Sequence, residues 1–266
     1  AVGCLACHGP TAIPAPEGRA RIVESAVCAS CHDAPPRYTR VVQWQTSGMA
    51  KARHGATLAS APRCRGCHTS LGALGMDAAA TDTGLSCAVC HDPHGDSSHA
   101  LLRERPVPGA LRPYFAGTPS AVCVECHAGR TETGWPVSSA AWISAGVGAV
   151  DPRDGTPWRH GQGAQGAGCL NCHGRQVAPA DEGAGPDHSF LAPPVPGAHP
   201  AGPPNTTAHH GQWPEGAPDL GSVAGRARWN LALLAADAAA HHHNPVWSRS
   251  LRTLSERALE LQTDTT

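Results

Sequence analysis

The sequence predicts a mainly α chain with extensive irregular loops and little or no β-sheet. Three observations carry that expectation. A C-x-x-C-H pattern occurs six times, at Cys4–His8, Cys28–His32, Cys64–His68, Cys87–His91, Cys123–His127 and Cys169–His173, and it uses all twelve cysteines. The 30 glycines and 25 prolines among 266 residues break the rest into short pieces. Near the C-terminus, Trp247, Leu251, Leu254, Ala258 and Leu261 recur at three- and four-residue steps, the period of an amphipathic helix. No stretch alternates convincingly as a strand would.

C-x-x-C-H is the attachment signal for c-type haem. Two thiols one turn apart form thioethers with the porphyrin vinyl groups, and the following histidine lies beneath the iron as its proximal ligand. Disulfides and zinc knuckles are the competing readings of so many cysteine pairs. Neither explains a histidine after every pair, a coincidence expected about once in ten million at this chain's histidine frequency. The expected cofactors are therefore six haem c groups, each with its iron. They would be attached through Cys4 and Cys7, Cys28 and Cys31, Cys64 and Cys67, Cys87 and Cys90, Cys123 and Cys126, and Cys169 and Cys172. Their proximal ligands would be His8, His32, His68, His91, His127 and His173. On these motifs the sequence resembles the multihaem c-type cytochromes over at least residues 1–173.

Composition fits a core supplied from outside the chain. Two Phe, two Tyr and 4% aromatics leave little to bury, and such chains drift toward disorder unless something else provides apolar surface. Six porphyrins would provide it, so the haems are expected to form the core. The formal charge of −1 omits their propionates, about −12 in all before the irons are counted, so the loaded protein should be acidic. Lys51 is the only lysine. The arginine excess suits bidentate clamping of propionates. A GC-rich coding bias explains it equally well.

Taken in order, the chain divides into three regions. Residues 1–173 hold every motif, with first cysteines at 4, 28, 64, 87, 123 and 169 and gaps of 24, 36, 23, 36 and 46. Short and long gaps alternate, which reads as a two-haem unit used three times and stretched in its third copy. Ala12 to Pro16, Pro35-Pro36, Arg105 to Pro108 and Gly146 to Pro157 read as loops and connectors. Ser47 to Leu58 reads as a helix leading to Arg53-His54-Gly55, and Arg159-His160-Gly161 repeats that approach before Cys169. Residues 174–218, with ten prolines, seven glycines and four histidines, read as a flexible loop that supplies ligands. Residues 219–266 read as a helical segment. Asp219 is expected to cap a helix through Ala240, and Asn244 to cap a second one with Pro245 in its first turn.

Eleven histidines lie outside the motifs, more than six irons need for second axial ligands. Only Met49 and Met76 offer the alternative His/Met ligation. Bis-histidine ligation with low potentials is thus the expectation, because methionine ligation is what raises them. His54 and His160 share the Arg-His-Gly context, and His94 completes a C-H-x-P-H-G extension common in the multihaem families. His188 in Asp187-His188-Ser189-Phe190 and His243 in His243-Asn244-Pro245 are similar to ligand-bearing segments of the multihaem nitrite reductase and octahaem cytochrome group. His209 is the expected sixth ligand, with His210, His199 and His99 as alternatives.

The resemblance implies electron transfer through a line of cofactors rather than catalysis. Partners would be redox proteins or other copies of the chain, including a filament in which Pro/Gly-rich segments are buried between subunits. A periplasmic multihaem reductase acting on nitrite, hydroxylamine or a sulfur oxyanion is the alternative. It would need an open iron, and no motif here departs from a terminal histidine. The start at Ala1-Val2-Gly3 reads as the product of signal-peptide removal, with Cys4 a haem ligand rather than a lipid anchor. The longest apolar run, Leu231 to Ala240, is too short to span a bilayer and contains Asp237. The expectation is an exported protein, extracellular or periplasmic, with no nucleic-acid partner and no membrane span.

Overall fold

The computed structural model describes residues 3–8, 24–33, 39–50, 61–77, 84–95, 101–158, 168–174, 187–190, 216–237 and 239–263. Helix accounts for 55% of them, so the fold is mainly α. The helices are α1 (Cys4–His8), α2 (Ser25–His32), α3 (Arg40–Thr46), α4 (Pro62–His68), α5 (Ser70–Ala73), α6 (Cys87–Cys90), α7 (Arg112–Phe115), α8 (Ala121–His127), α9 (Ala140–Ala145), α10 (Cys169–His173), α11 (Val223–Ala235), α12 (Ala240–His243) and α13 (Pro245–Thr263). Among the described residues the strands are β1 (Ala149–Val150) and β2 (Pro157–Trp158), paired antiparallel with Ala149 opposite Trp158 and Val150 opposite Pro157. Both lie inside the expected Gly146–Pro157 connector or at its end.

The chain folds as two compact units. The first comprises residues 1–104 and 169–193, the second residues 105–168 and 194–266. Packing draws these boundaries, whereas those at 173/174 and 218/219 follow composition. The first unit carries five of the motifs. The second carries the fifth motif, on α8, together with the C-terminal helices α11, α12 and α13. The long gap between the fifth and sixth motifs is filled by α9 and the β1–β2 pair.

In the first unit, α2 packs against α3 and α6, and α5 against α4 and α6. Its buried hydrophobic side chains among the described residues are Val41, Ala73 and Val89. Small polar groups do much of the joining. Ser70 donates to the Gly84 carbonyl at 3.1 Å and accepts the Ser86 N–H at 2.9 Å, tying α5 to the segment that enters α6. Asp33 accepts the Val41 N–H at 2.8 Å, fixing the start of α3 against the end of α2. After α4 the Thr69 side chain accepts the Gly72 N–H at 3.0 Å and starts α5 at once. A Cβ on Gly72 would run into the Arg65 carbonyl, so this reversal requires glycine.

The second unit departs from the expectation that haems alone form the core. Leu233 on α11 and Trp247 and Leu251 on α13 are fully buried, as are Ile143 on α9 and Leu111 before α7. Each such side chain stabilises the fold by roughly 1.5–3 kcal/mol on burial. At their centre sits Asn230, also fully buried. Its Oδ1 accepts the Val150 N–H at 3.0 Å, and its Nδ2 donates to the Val150 carbonyl at 2.7 Å and to Ser255 Oγ at 3.2 Å. One side chain thereby joins α11, β1 and α13. Aromatic residues, few in composition, are concentrated here. The Arg130 guanidinium lies 4.5 Å from the Trp142 ring centroid and 4.6 Å from that of Trp229, a cation sandwiched between two indoles.

The helix ends correct the sequence reading in detail. Ser222, not Asp219, caps α11 by accepting the Gly225 N–H at 3.0 Å, while Asp219 accepts from the Ser222 hydroxyl and the Gly221 N–H. The helix stops at Ala235 and resumes as α12 at Ala240. Asn244 does cap α13, its Oδ1 accepting the Trp247 N–H at 3.3 Å. The buried stripe of α13 runs through Trp247, Ser248, Leu251, Ser255 and Ala258, and Leu261 lies exposed beyond it. Residues 47–50 form a bend and turn rather than the start of a helix. The rest of that expected helix lies outside the described residues. Among the described residues no helix is long and apolar enough to cross a membrane.

Candidate functional site

Each motif folds as about one turn of helix, ending α1, α2, α4, α8 and α10 on its histidine. Cysteines at i and i+3 and a histidine at i+4 then share one face of the turn, the arrangement that a covalently held porphyrin requires. The fourth motif differs. Its helix α6 ends at Cys90, and His91 follows as an extended cap with φ −110° and ψ 139°. The His91 N–H still reaches the Cys87 carbonyl at 2.9 Å. A backbone bridge to Leu102 holds His91 from the other side.

Among the described residues eleven cysteine side chains are free of disulfide bonds, and none of them is buried. The Cys4 side chain lies outside the described set. All six motif histidines are half-buried or exposed, so their rings remain accessible to a large planar group. Among the described residues no group of three or more His, Cys, Asp or Glu side chains gathers as a metal-ion site of its own. The residues fit haem c.

Two motifs meet through their first cysteines. The Cys28 and Cys87 sulfurs interact, and in the chain before haem attachment this holds the Cys87 thiol down at about 6 and pushes Cys28 up. The Cys87 N–H donates to Ser25 Oγ at 3.4 Å, the second link between α2 and α6. Attachment points of the second and fourth motifs are therefore adjacent.

One motif histidine has its tautomer set by a neighbouring carbonyl, and two others lie beside a second imidazole. His173 Nδ1 lies 3.0 Å from the Phe190 carbonyl. A carbonyl only accepts, so Nδ1 carries the proton and Nε2 presents its lone pair. The His8 and His94 rings lie with centroids 5.9 Å apart and planes 22° apart. His91 and His188 repeat this at 6.2 Å and 22°. His94 is positioned by Asp92, which accepts its N–H at 3.1 Å and is itself held by Arg103 at 3.0 Å. His188 is positioned by Gln43 on α3, whose Oε1 accepts its N–H at 3.2 Å.

In the second unit His243 Nδ1 lies 2.6 Å from Asp237 Oδ2, a carboxylate almost wholly buried. A buried acceptor fixes the proton on Nδ1, so Nε2 carries the lone pair, the kind of outer support common to metal-bound histidines. Sequence reasoning did not single out Asp237, Gln43 or Phe190. The one available signal was Asp237, six residues before His243; the other two act through tertiary contacts. Of the other expected second ligands, His54, His160 and His209 lie outside the described residues, as do His99, His199 and His210.

Residues 79–132 match the doubled CXXCH motif family. The matched stretch contains the fourth and fifth motifs, Cys87–His91 and Cys123–His127. The match supports a multihaem c-type cytochrome. Its motifs are those of covalently bound haem c, and electron transfer is the general activity they imply. No curated protein and no solved structure matches this chain.

Proposed function

We propose that this multihaem cytochrome carries six c-type haems and passes electrons along them outside the cytoplasmic membrane. Donor and acceptor are redox proteins or further copies of the chain, the latter giving a filament. The observation that carries this reading is the six-fold C-x-x-C-H pattern, which leaves no cysteine over and is accompanied by a surplus of histidines. When bound, each haem supplies an iron that changes oxidation state by one electron. The chain's part is to hold and close those irons. The twelve cysteines would anchor them, and the six motif histidines would each supply one ligand to an iron. His54, His94, His160, His188, His209 and His243 would supply the second ligands. An iron with both axial positions filled offers no place for a substrate, which favours transfer over the reductase alternative.

Low-temperature EPR of the oxidised protein, with intact mass and size exclusion on the same sample, tests this. Six attached haems with only low-spin signals are the expected result. A high-spin signal approaching one iron per chain that shifts with nitrite would replace the conduit with the reductase. Elution in the void volume supports the filament, and elution near the monomer mass a shuttle.

A further inference from the structure

We infer that His94 is the second axial ligand of the iron attached at Cys4 and Cys7, opposite His8. By the same geometry His188 is the second ligand of the iron attached at Cys87 and Cys90, opposite His91. This pairing rests on the haem reading above and deepens it, assigning two second ligands to particular motifs.

Ring geometry carries the inference. Two imidazoles bound on opposite sides of one metal ion, each at the usual metal–nitrogen distance of about 2 Å, have centroids about 6 Å apart. The two pairs stand at 5.9 and 6.2 Å, each with planes 22° apart. Offset stacking of rings spans roughly 4.5–7 Å and would allow either separation by itself. What distinguishes these pairs is their membership. Each joins one motif histidine to one histidine outside the motifs, brought from a distant part of the chain, at matching separation and angle.

Backbone around both second ligands is held in place. The His94 turn is pinned by Asp92, whose carboxylate also receives Arg103, while Arg103 Nε donates to the Ala88 carbonyl of α6 at 2.7 Å. The His188 turn is pinned at both ends. The Asp187 N–H donates to the Gly174 carbonyl at 2.9 Å, and Phe190 adopts a left-handed φ of 52°, uncommon for a bulky residue. The Phe190 carbonyl receives His173 Nδ1. One four-residue segment therefore faces His91 of the fourth motif and orients the proximal histidine of the sixth. A backbone conformation of this cost persists only where surrounding contacts impose it.

The test uses the haem-loaded protein with His8→Ala, His94→Ala and the double variant, and likewise His91→Ala, His188→Ala and their double. EPR counts high-spin irons, and intact mass with peptide mapping counts and locates haems. His94→Ala should convert one iron per chain to high spin. Added to His8→Ala it should create no further high-spin iron, whether His8→Ala leaves its haem high spin or prevents its attachment. A His94→Ala protein with all irons low spin, or a second high-spin iron in the double variant, overturns the pairing. His94→Met guards against misfolding. It should raise the potential of one haem, since methionine ligation does so, and six unmoved potentials count against the pairing. Six haems with unchanged spectra defeat the pairing and leave the conduit standing. A peptide map of the native protein without haem at Cys4/Cys7 or Cys87/Cys90 defeats both.

Discussion

His243 shows how a single residue is prepared for ligation. The buried Asp237 carboxylate accepts from Nδ1, so the ring is oriented and Nε2 carries the lone pair. Asp237→Asn should weaken ligation through His243 by about 10- to 100-fold, the usual cost of losing an outer-shell carboxylate. The check is the rate of carbon monoxide binding to the reduced protein, which should gain one fast-reacting iron. Unchanged kinetics would assign Asp237 to packing alone. A second residue-scale expectation concerns spectra. If these rings share an iron as inferred above, planes 22° apart would both interact with the same iron d orbital and split it strongly from its partner. The low-spin signals lost in His94→Ala and His188→Ala should therefore be rhombic rather than highly anisotropic, as low-temperature EPR difference spectra would report.

Among the elements, α11 and α13 are joined by apolar burial, but their register depends on polar groups. Asn230→Ala would leave the Val150 N–H and C=O without their buried partners, and should cost about 2 kcal/mol or more in urea unfolding. Asn244→Ala removes the cap of α13 and should cost about 1 kcal/mol in the same assay. The turn between β1 and β2 is sensitive to pH. Arg153 donates from Nε at 3.0 Å and from its terminal amine at 2.6 Å to Asp151, holding that carboxyl below its ordinary 3.8. A lowered carboxyl stabilises the fold above its unfolded pKa, and the contribution is lost as pH falls through the folded value. The stability difference between the native protein and Asp151→Asn should therefore be present at neutral pH and shrink below about pH 4. Persistence of the full difference in acid would exclude the ion pair as its source.

For the whole molecule, the two units differ in what holds them together. Among the described residues the second buries Trp247, Leu233, Leu251, Ile143 and Leu111, whereas the first buries mainly small side chains and gathers cysteines and imidazoles. Chain produced without haem attachment should keep a cooperative helical transition from the second unit and lose structure in the first. Far-ultraviolet circular dichroism during urea unfolding, with proteolysis to locate the surviving fragment, measures this. Complete unfolding of both units would show that haem is required throughout.

The attachment chemistry is legible in the residues alone. A C-x-x-C-H turn is local, because its five residues make their own helical turn and carry every group needed for attachment. Local signals also placed α13, since a cap at Asn244, a proline at the first helical position and a three- to four-residue period act within one segment. The mainly α class followed from the same signals. Which distant residues meet is a matter of packing. Nothing near His8 announces His94, and nothing in α3 marks Gln43 as the support of His188, because such contacts depend on how separate pieces pack. Composition also misjudged the core. Seven tryptophans averaged over 266 residues look sparse, yet folding concentrates several of them with the leucines of α11 and α13 in one unit. An average over the chain carries no information about that segregation, since burial belongs to the packed unit and not to the residue.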